Sequence, residues 1–264
     1  MTGRRILLLA PHPDDEAVGC AALIARARSA GASMFALYLT TGVPAAERLW
    51  RWQRGSYDAR VARRRHEAER AAALLGIEPC GFSSRPSRTL KSHLQAARRE
   101  IERAVEGHGI DTLWAPAWEG AHQDHDAANL LAAGLRHRVA VLEYATYTYA
   151  GRRVRSQTFI DTRGGEQILP LDAEAIALKR AALGLYASER GNLRHIGLVR
   201  ESLRPLPAHD YSRPPHSAPL FWARFQWVPF RHPRVDFEPA SAVYGELATW
   251  AARQAPIPPI RAAE

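Results

Sequence analysis

The strongest constraint on the fold of this chain is a short apolar run that leads directly into a cluster of ionisable side chains. Ile6–Ala10 is wholly apolar, and Pro11-His-Pro-Asp-Asp-Glu16 follows it without a gap. Strands of a parallel sheet that is covered on both faces read as continuous apolar runs, and ligands of open α/β sheets collect just beyond the carboxyl ends of such strands. The sequence therefore predicts a buried first strand with His12, Asp14 and Asp15 at its mouth.

Strand-like apolar runs alternate with amphipathic, helix-like runs along the first two thirds of the chain. This alternation predicts the α/β class, with a mostly parallel sheet and helices on both of its faces. The predicted strands cover 4–10, 33–39, 79–83 and 112–117, and the predicted helices cover 15–30, 58–75, 90–105, 124–135 and 172–186. Two further predicted strands, 139–148 and 157–160, flank Gly151-Arg-Arg and form a hairpin candidate.

The last part of the chain, 191–264, is rich in proline and aromatic residues. Because proline interrupts helices, we expect irregular structure without long helices there. We predict a core of residues 1–190 and a C-terminal extension of residues 191–264 that packs on this core within one structural domain. The aromatic residues of the extension are expected mostly in core packing, with a wall on the acceptor side of the site or an oligomer contact as alternatives; they include Trp222, Phe225, Trp227 and Phe230.

Residues 43–57 form a long connection between a predicted strand and a predicted helix. They contain arginine and tryptophan but show no helical or strand periodicity. Connections of this length at the ends of strands often act as substrate loops or lids, so we expect the segment to border the binding site.

Composition limits the class of protein and the kinds of partner. The 264 residues are 46% hydrophobic, which is enough for a sizeable core. No apolar segment approaches the ~20 residues that cross a bilayer, so no transmembrane segment is expected. The formal net charge of +9 comes almost wholly from arginine and permits attraction to phosphate or to the surface of an anionic membrane. The arginines are dispersed and match no nucleic-acid recognition motif, so no specific nucleic-acid partner is expected.

The chain has two cysteines, Cys20 and Cys80, which are far apart in the sequence. This number and spacing disfavour both a thiolate zinc site and a disulfide framework. Each cysteine is expected to be a small buried apolar side chain, and this usage fits a cytoplasmic location.

A second polar cluster, His122-Gln-Asp-His125, follows the apolar stretch 112–117. Polar clusters in equivalent places after two parallel strands can meet in one cleft, where these residue types suit a three-ligand zinc site with an open position for water. In this arrangement His12, Asp15 and His125 are the expected ligands.

The remaining residues of the two clusters have candidate roles around such an ion. Asp14 is the expected general base, and His122 the acid or the stabiliser of the oxyanion. The structural alternative is that Asp14 or Asp15 caps the helix that follows. Asp124 could cap its own helix or act in catalysis as the carboxylate that orients His122.

The two clusters together, about a hundred residues apart, resemble the motifs of the PIG-L/LmbE-like deacetylases. The resemblance implies a Rossmann-like fold and the Zn2+-dependent hydrolysis of an N-acetyl group on a glucosamine-type sugar. By position, the family's metal ligands, base and acid fall on the same residues that the spacing selects.

The resemblance extends over about residues 4–190. Arg64-Arg-His-Glu67 resembles the family's Arg-x-x-Glu helix, whose arginine can contact the sugar, so Arg64 is a candidate substrate-binding residue. The alternative for this segment is an ordinary solvated helix face. Lys179 with Tyr186-Ala-Ser-Glu189 resembles a later helix of the family. Several positions near the motifs depart from the family pattern, and they leave the subgroup and the substrate open.

Three functions are compatible with these observations. The first is an N-deacetylase with one Zn2+, or another divalent transition metal, per subunit, acting on an N-acetylglucosamine conjugate such as a small glycoside, a lipid-linked amino sugar or a glycosylated natural product. The second is an amidase that cleaves a larger acyl group or a thiol-conjugate amide. The third is a non-catalytic basic protein that binds sugars or polyanions. Peripheral membrane contact and a homo-oligomer are compatible with each of them.

Overall fold

The structure, a computed structural model, describes residues 3–149, 153–217 and 219–254. The strands within these ranges are β1 (Arg5–Ala10), β2 (Ser33–Tyr38), β3 (Ile77–Phe82), β4 (Thr112–Pro116), β5 (Ala140–Tyr144), β6 (Tyr147–Thr148), β7 (Arg155–Ser156), β8 (Gln167–Pro170) and β9 (Arg200–Pro205). The α-helices are α1 (Asp15–Ser29), α2 (Arg51–Arg54), α3 (Tyr57–Leu75), α4 (Leu94–Gly107), α5 (Gln123–Ala133), α6 (Ala173–Leu185) and α7 (Ala240–Arg253). None of these helices combines the length and the apolar character needed to cross a membrane.

Seven of the strands form one central sheet in the order β3-β2-β1-β4-β5-β9-β8. The first five strands in this order run parallel, whereas β9 and β8 are antiparallel to their neighbours. The chain builds the sheet outward from β1 to β3 and then returns to the other side of β1 to form β4. The carboxyl ends of β1 and β4 therefore border the point where the direction of winding reverses, which is where open α/β sheets bind their ligands.

Helices cover both faces of this sheet. Helices α1, α3 and α6 pack on one face and helices α4, α5 and α7 on the other, each group against its own cluster of buried apolar side chains. Ile6–Ala10 in β1 is fully buried between the two layers. A strand that meets helices on both sides must be apolar throughout, which explains the continuous run in the sequence. The predicted α/β class, with a mostly parallel sheet covered on both faces, is confirmed.

Residues visible in the sequence set the ends of several helices. Gly76 ends α3 with φ +67°, a left-handed conformation that glycine adopts without steric cost. Asp172 caps α6, since its side chain accepts the amide of Ala175 at 2.9 Å. Because these signals are local, the predicted boundaries of both helices agree with the structure to within one residue.

The second half of the chain contains strands that the hydropathy pattern does not predict. Strand β9 carries Glu201, Ser202 and Arg204, all of them buried, and β8 is a short edge strand that is mostly exposed. Because these buried side chains of β9 are polar and paired, the strand does not read as an apolar run in the sequence. The predicted strand at 157–160 is wrong, because β6 pairs instead with β7. The antiparallel pairing of β6 with β7 agrees with the predicted hairpin, and residues 150–152 between them lie outside the described part of the chain.

The expectation that no long helix follows residue 190 is also wrong. Helix α7 spans fourteen residues and packs on helix α5, where it buries Val243, Tyr244 and Leu247 in the apolar cluster on that side of the sheet. It begins directly after Pro239, and no proline falls within it. Strand β9 likewise lies beyond residue 190, yet it is an internal strand of the central sheet. This arrangement is consistent with the predicted single structural domain.

Neither cysteine forms a disulfide. Cys20 is fully buried in α1, as expected, but Cys80 on edge strand β3 is only partly buried. Burial and the neighbouring Glu78 raise the pKa of Cys80 to about 11, so its thiol stays protonated at neutral pH.

A buried ion pair joins helix α1 to helix α6 and strand β9. Lys179 Nζ lies 2.6 Å from Glu201 Oε1, and neither side chain is exposed. Lys179 also donates to the carbonyl of Val18 at 2.7 Å, and Glu201 accepts the amide of Ala22 at 2.9 Å. The pair thus anchors the middle of α1, the helix that begins at Asp15. Removal of one partner leaves an uncompensated buried charge.

Lys179→Met is expected to lower the free energy of unfolding by about 3–5 kcal/mol, because Glu201 then stays buried without its counter-ion. Arg180→Met, at the exposed neighbouring position of α6, is the matched control, with an expected change within about 0.5 kcal/mol. Urea denaturation at neutral pH measures both values. Equal stabilities of the two variants would show that the pair does not anchor α1.

Candidate metal centre and active site

The two polar clusters of the sequence meet in one cleft, at the point where the winding of the sheet reverses. His12 and Asp15 lie in the turn between β1 and the first residue of α1, and His125 lies in the first turn of α5. All three side chains are buried. The structure therefore brings together the residues that their spacing selects as metal ligands.

The ligand-type atoms of these three residues lie at separations that suit one tetrahedral metal ion. His125 Nε2 is 3.1 Å from Asp15 Oδ1 and 3.3 Å from His12 Nδ1, and His12 Nδ1 is 3.4 Å from Asp15 Oδ2. A zinc ion with tetrahedral ligands at about 2.0–2.1 Å places those ligands about 3.3 Å apart. The donor set of two imidazoles and one carboxylate therefore fits such an ion.

The electrostatics of this set also favour a positive charge between its members. Although burial opposes ionisation of Asp15, the His125 and His12 imidazoles hold the pKa of its carboxyl well below the usual range. Burial likewise opposes protonation of His12, but the Asp124 and Asp15 carboxylates raise its pKa to about 10. Carboxylates on both sides of the His12 ring thus stabilise a cation there, whether a proton or a metal ion.

A buried carboxylate holds the His12 ring from the side opposite the candidate metal centre. Asp124 Oδ2 lies 3.1 Å from His12 Nε2 and accepts the amide of Arg88 at 2.6 Å, while Asp124 Oδ1 accepts the amide of Leu90 at 3.1 Å. A carboxylate on the outer nitrogen of a metal-ligating histidine fixes its tautomer and its ring orientation. Asp124 is therefore placed to orient His12.

This position differs from the roles predicted for Asp124. The capping role is wrong, because the cap of α5 is His122, whose Nδ1 accepts the amide of Asp124 at 3.1 Å. The Asp124 carboxylate also lies 3.6 Å from His122 Nδ1, so its predicted role in orienting His122 stays a prediction. The sequence could not show that the Asp124 carboxylate lies against His12. The amides that hold this carboxylate in place come from a loop more than thirty residues away in the sequence.

A second set of side chains in the described residues has metal-ligand spacing, namely His12, His122 and Asp124. Its atoms already have backbone partners, since His122 Nδ1 accepts the Asp124 amide and the Asp124 carboxylate accepts two further amides. In the first set, neither Asp15 Oδ1 nor His125 Nε2 accepts a hydrogen bond from a described backbone amide. The first set therefore suits a metal ion better.

Asp14 sits beside the candidate metal centre in an unusual backbone conformation. Its φ of 135° is rare for a residue with a side chain, and such strain tends to occur at functional sites. Its amide faces Glu16 Oε2 at 3.3 Å, and its Oδ2 accepts from Arg64 Nη2 at 3.1 Å. Burial raises the pKa of Asp14 to about 7, against the lowering effect of the Arg64 guanidinium.

Neither aspartate of the first cluster caps helix α1. Asp14 occupies the N-cap position but makes no capping hydrogen bond with its side chain. Asp15 Oδ2 instead accepts the amide of His12 at 2.7 Å, which closes the turn between β1 and α1. The capping alternative for these two carboxylates is therefore wrong.

His122 faces the same cleft as a neutral ring. Burial and the nearby His12 imidazole hold the pKa of His122 well below its usual value. Because Nδ1 accepts the amide of Asp124, the proton of the neutral ring lies on Nε2. The ring can therefore donate a hydrogen bond, which suits the predicted role of oxyanion stabiliser better than that of acid.

Arg64 is buried, so the alternative of an ordinary solvated helix face is wrong for this residue. It lies on α3 with 3% of its surface exposed. Its guanidinium donates to the carbonyl of Pro13 and to the carboxylate of Asp14, and it lies 3.6 Å from Glu189. Arg64 thus joins α3 to the first motif, and its contact with a sugar stays a prediction.

The candidate centre opens into a cavity of about 1130 Å³. His12, Asp14 and Asp15 line it on the side of the sheet. Segment 43–57, which forms a 3-10 turn and helix α2, contributes Trp50 and other residues to the wall. The prediction that this segment borders the candidate site is confirmed.

The C-terminal aromatic residues are used differently from the expected core packing. Trp222 is buried, with 6% of its surface exposed, whereas Phe225, Trp227 and Phe230 are 45%, 76% and 58% exposed. Trp222, Phe225 and Phe230 line the cavity. Core packing is therefore wrong for three of the four residues, because the segment that carries them forms the mouth of the cavity instead of a layer on the sheet.

Three residues of the cavity wall have no motif that would have indicated them. The Tyr147 ring lies 5.8 Å from the His125 ring and 4.5 Å from the Phe221 ring, and the Arg224 guanidinium lies 3.4 Å from the centre of Phe221. In the sequence, only the density of aromatic residues and arginines after residue 220 points to Phe221 and Arg224, and this signal does not extend to Tyr147. That signal does not say which of them face the site.

Similarity to known proteins agrees with this geometry. Residues 7–134 match the PIG-L family model, described as GlcNAc-PI de-N-acetylase. A curated relative, 2'-N-acetylparomamine deacetylase from Streptomyces fradiae, is 29% identical over 226 residues, which are 76% of this chain and 77% of the relative.

Solved structures with a similar fold include two further deacetylases. A deacetylase of teicoplanin biosynthesis, in complex with bog, has a TM-score of 0.62 and 18% identity and covers 76% of this chain and 97% of its own. A40926 pseudoaglycone deacetylase has a TM-score of 0.58 and 20% identity. The match covers 76% of this chain and 96% of that deacetylase. Another teicoplanin deacetylase structure, described as a zinc-inhibited form, has a TM-score of 0.59, 18% identity and coverages of 76% and 97%. At these identities the likeness shows the fold alone.

The family match spans both polar clusters and the strands β1 and β4 that place them. It therefore covers every residue of the candidate metal centre, together with Asp14, His122 and Arg64. Residues 7–134 of this chain are therefore similar to the PIG-L family in the part that carries the candidate metal centre.

Proposed function

We propose that this protein is a zinc-dependent N-deacetylase that removes the acetyl group from an N-acetylglucosamine-containing conjugate. The observation that carries the proposal is the set of His12, Asp15 and His125 at separations of 3.1–3.4 Å, with Asp14 beside it. Such a site combines a three-ligand metal centre with a carboxylate that is free to act as a base. The relative from Streptomyces fradiae, named as a deacetylase, supports the reaction type.

His12, Asp15 and His125 would hold one zinc ion, or another divalent transition metal, per subunit. When bound, the ion supplies Lewis acidity to the amide carbonyl and to water. The protein adds the orientation of this centre, since Asp124 holds the His12 ring through Nε2 at 3.1 Å.

Asp14 takes the proton from the attacking water. Its Oδ2 is engaged by Arg64, whereas its Oδ1 has no hydrogen-bond partner among the described residues and is the atom that accepts the proton. Arg64 also binds the carbonyl of Pro13, so it fixes the position of the Asp14 carboxylate. The proton on Asp14 is then available to the departing nitrogen, which must leave as an amine.

His122 stabilises the negative charge that develops on the carbonyl oxygen. Its Nδ1 is committed to the amide of Asp124, so Nε2–H is its free donor. A donor that is already oriented toward the developing charge lowers the barrier without a cost of reorganisation.

The size of the cavity favours a conjugate over a free amino sugar. Its volume of about 1130 Å³ is slightly above the ~300–1,000 Å³ usual for small-molecule sites. A small glycoside, a glycolipid or a glycosylated natural product would occupy this space. A longer acyl chain would also use it, so an amidase for larger acyl groups or thiol conjugates is the alternative. Release of acetate compared with release of longer acids, from the same N-acylglucosaminide, distinguishes the two.

We include a cytoplasmic location in the proposal on the basis of the two unpaired cysteines. Peripheral membrane contact and formation of a homo-oligomer stay predictions from the sequence.

His125→Ala is expected to abolish stoichiometric metal binding and acetate release together, because two ligands hold zinc far more weakly than three. His66→Ala, at an exposed position of α3, is the matched control and should keep both. Elemental analysis of dialysed protein measures the metal, and an acetate assay over N-acetylglucosaminides measures turnover. Wild-type protein without stoichiometric metal would contradict the proposal and favour the non-catalytic sugar- or polyanion-binding protein.

Asp14→Asn is expected to retain the metal and to lose about 100-fold or more in kcat, the range expected for removal of a general base. Asp58→Asn, on the exposed first turn of α3, serves as the control and should leave both quantities unchanged. Steady-state kinetics with parallel metal analysis measures the effect. Full turnover by the Asp14 variant would show that Asp14 is not the general base.

His122→Phe is expected to lower kcat by about 10²–10³-fold with little change in KM, because its donor acts on charge that appears only in the transition state. The metal content should match that of the wild type, since His122 is not among the proposed ligands. Kinetics at saturating and limiting substrate separates the two parameters. A rise in KM at unchanged kcat would instead assign His122 to substrate binding.

A further inference from the structure

The cavity beyond the candidate metal centre contains arginines without a carboxylate partner. Its wall includes six arginines and four carboxylates among the described residues. The carboxylates are all engaged by arginine or imidazole groups; they are Asp14, Asp15, Glu189 and Asp236. Three of the arginines form no salt bridge with any described carboxylate; they are Arg60, Arg224 and Arg234. The cavity wall thus carries an excess of unpaired positive charge.

Arg224 is the one of these three that water cannot fully solvate. Arg60 and Arg234 are exposed at the edge of the cavity, whereas Arg224 is half-buried. Its guanidinium carbon lies 3.4 Å from the centre of the Phe221 ring and 4.5 Å from that of Phe225. Burial lowers the pKa of Arg224 against the opposing effects of Tyr147 and Tyr149, and no carboxylate adds to those effects. A half-buried cation without a counter-ion is costly unless a ligand supplies the negative charge.

The contacts of Arg224 also fix its direction. One guanidinium nitrogen, Nη1, donates to the carbonyl of Phe221, and the plane of the group is held by the two phenylalanine rings. Its remaining N–H donors have no partner among the described residues. A guanidinium that is already oriented loses little entropy when it forms paired hydrogen bonds to a carboxylate or a phosphate.

Two aromatic rings separate Arg224 from the candidate metal centre. Tyr147 contacts the His125 ring on one side and the Phe221 ring on the other, and Arg224 lies against Phe221. Arg224 forms no hydrogen bond or ion pair with the described residues of the candidate metal centre. Its free donors are therefore available to another part of a substrate in the cavity that it lines.

We propose that Arg224 binds an anionic group, a carboxylate or a phosphate, on the aglycone of the amino-sugar conjugate. This inference rests on the proposed function and narrows its substrate class to conjugates with a negatively charged aglycone. Arg60 and Arg234 add positive potential at the edge of the cavity, which attracts such substrates over a longer range. Arg224 lies outside the family match of residues 7–134, in the C-terminal segment that lines the cavity mouth.

The test uses aryl N-acetylglucosaminides that share one ring and differ in the charge of a single substituent. The substituents are 4-carboxy, 4-phosphate, neutral 4-methyl and cationic 4-aminomethyl, and the metal-loaded enzyme is assayed for kcat and KM with each. We expect kcat/KM for the better anionic substrate to exceed that for the neutral one by about 10- to 100-fold, the effect of hydrogen bonds to a charged group. The carboxylate and phosphate arms show which oxyanion the subsite prefers.

Variants then assign the preference to one residue. Arg224→Gln is expected to remove most of the preference through a higher KM for the anionic substrate, with the neutral substrate little affected. Arg224→Lys keeps the charge but loses the planar group, so it should restore the preference only in part. Arg99→Gln, at an exposed position on α4, removes the same charge far from the cavity and should leave the preference intact.

The outcomes separate this inference from the proposed function. Equal kcat/KM for the anionic and neutral substrates, or the same loss in the Arg99 and Arg224 variants, would overturn the anion subsite while hydrolysis itself stands. Failure to release acetate from any of the four substrates would count against the deacetylase. In that case calorimetry with the carboxy and methyl glycosides still tests the subsite. The subsite requires that the carboxy glycoside binds more tightly than the methyl glycoside and that Arg224→Gln removes this difference.

Discussion

The reversal of winding between β1 and β4 is the constraint on which the site depends. Strand β1 pairs in parallel with both β2 and β4, and the helices that follow β1 and β4 pack on opposite faces of the sheet. A crevice therefore opens beyond the ends of the two strands. Into it the chain places His12 and His125, which are 113 positions apart in sequence and 3.3 Å apart in space. No local motif could produce that approach without the sheet order.

Buried charges hold this geometry because most of them are paired. Asp124 joins the His12 ring to the backbone at Arg88, and Arg64 joins the Asp14 carboxylate to helix α3. Behind the site, the Lys179–Glu201 pair anchors helix α1. Each partner would be costly alone in the interior, and together they restrict the site to one arrangement. The Arg224 guanidinium, in contrast, has no carboxylate partner among the described residues, and the proposed anion subsite is based on this difference.

The residues of the proposed chemistry and those of the proposed substrate preference come from different parts of the chain. The family match of residues 7–134 contains the candidate metal centre and Asp14. Much of the cavity wall comes from segment 43–57 and from residues 221–236, and the latter lie outside the family match. We therefore expect the proposed reaction to depend on the part of the chain that matches the PIG-L model, and the proposed aglycone preference to depend on the C-terminal segment. The fold alone does not decide the substrate, since sites are built on a fold by its loops.

The α/β class, the buried first strand and the residues of the candidate metal centre could be predicted from the sequence. These signals are local: an apolar run is encoded by neighbouring residues, and a polar cluster after a strand marks the strand's end. Four features became visible only in the folded protein: the partner of Asp124, the burial of Arg64, the presence of β9 and the position of Arg224 in the cavity wall. Each of these depends on contacts between segments far apart in the chain, and β9 in particular buries Glu201 and Arg204 with distant partners. Hydropathy and spacing describe the chemical character of a residue, whereas the packing of distant segments determines which residues it contacts.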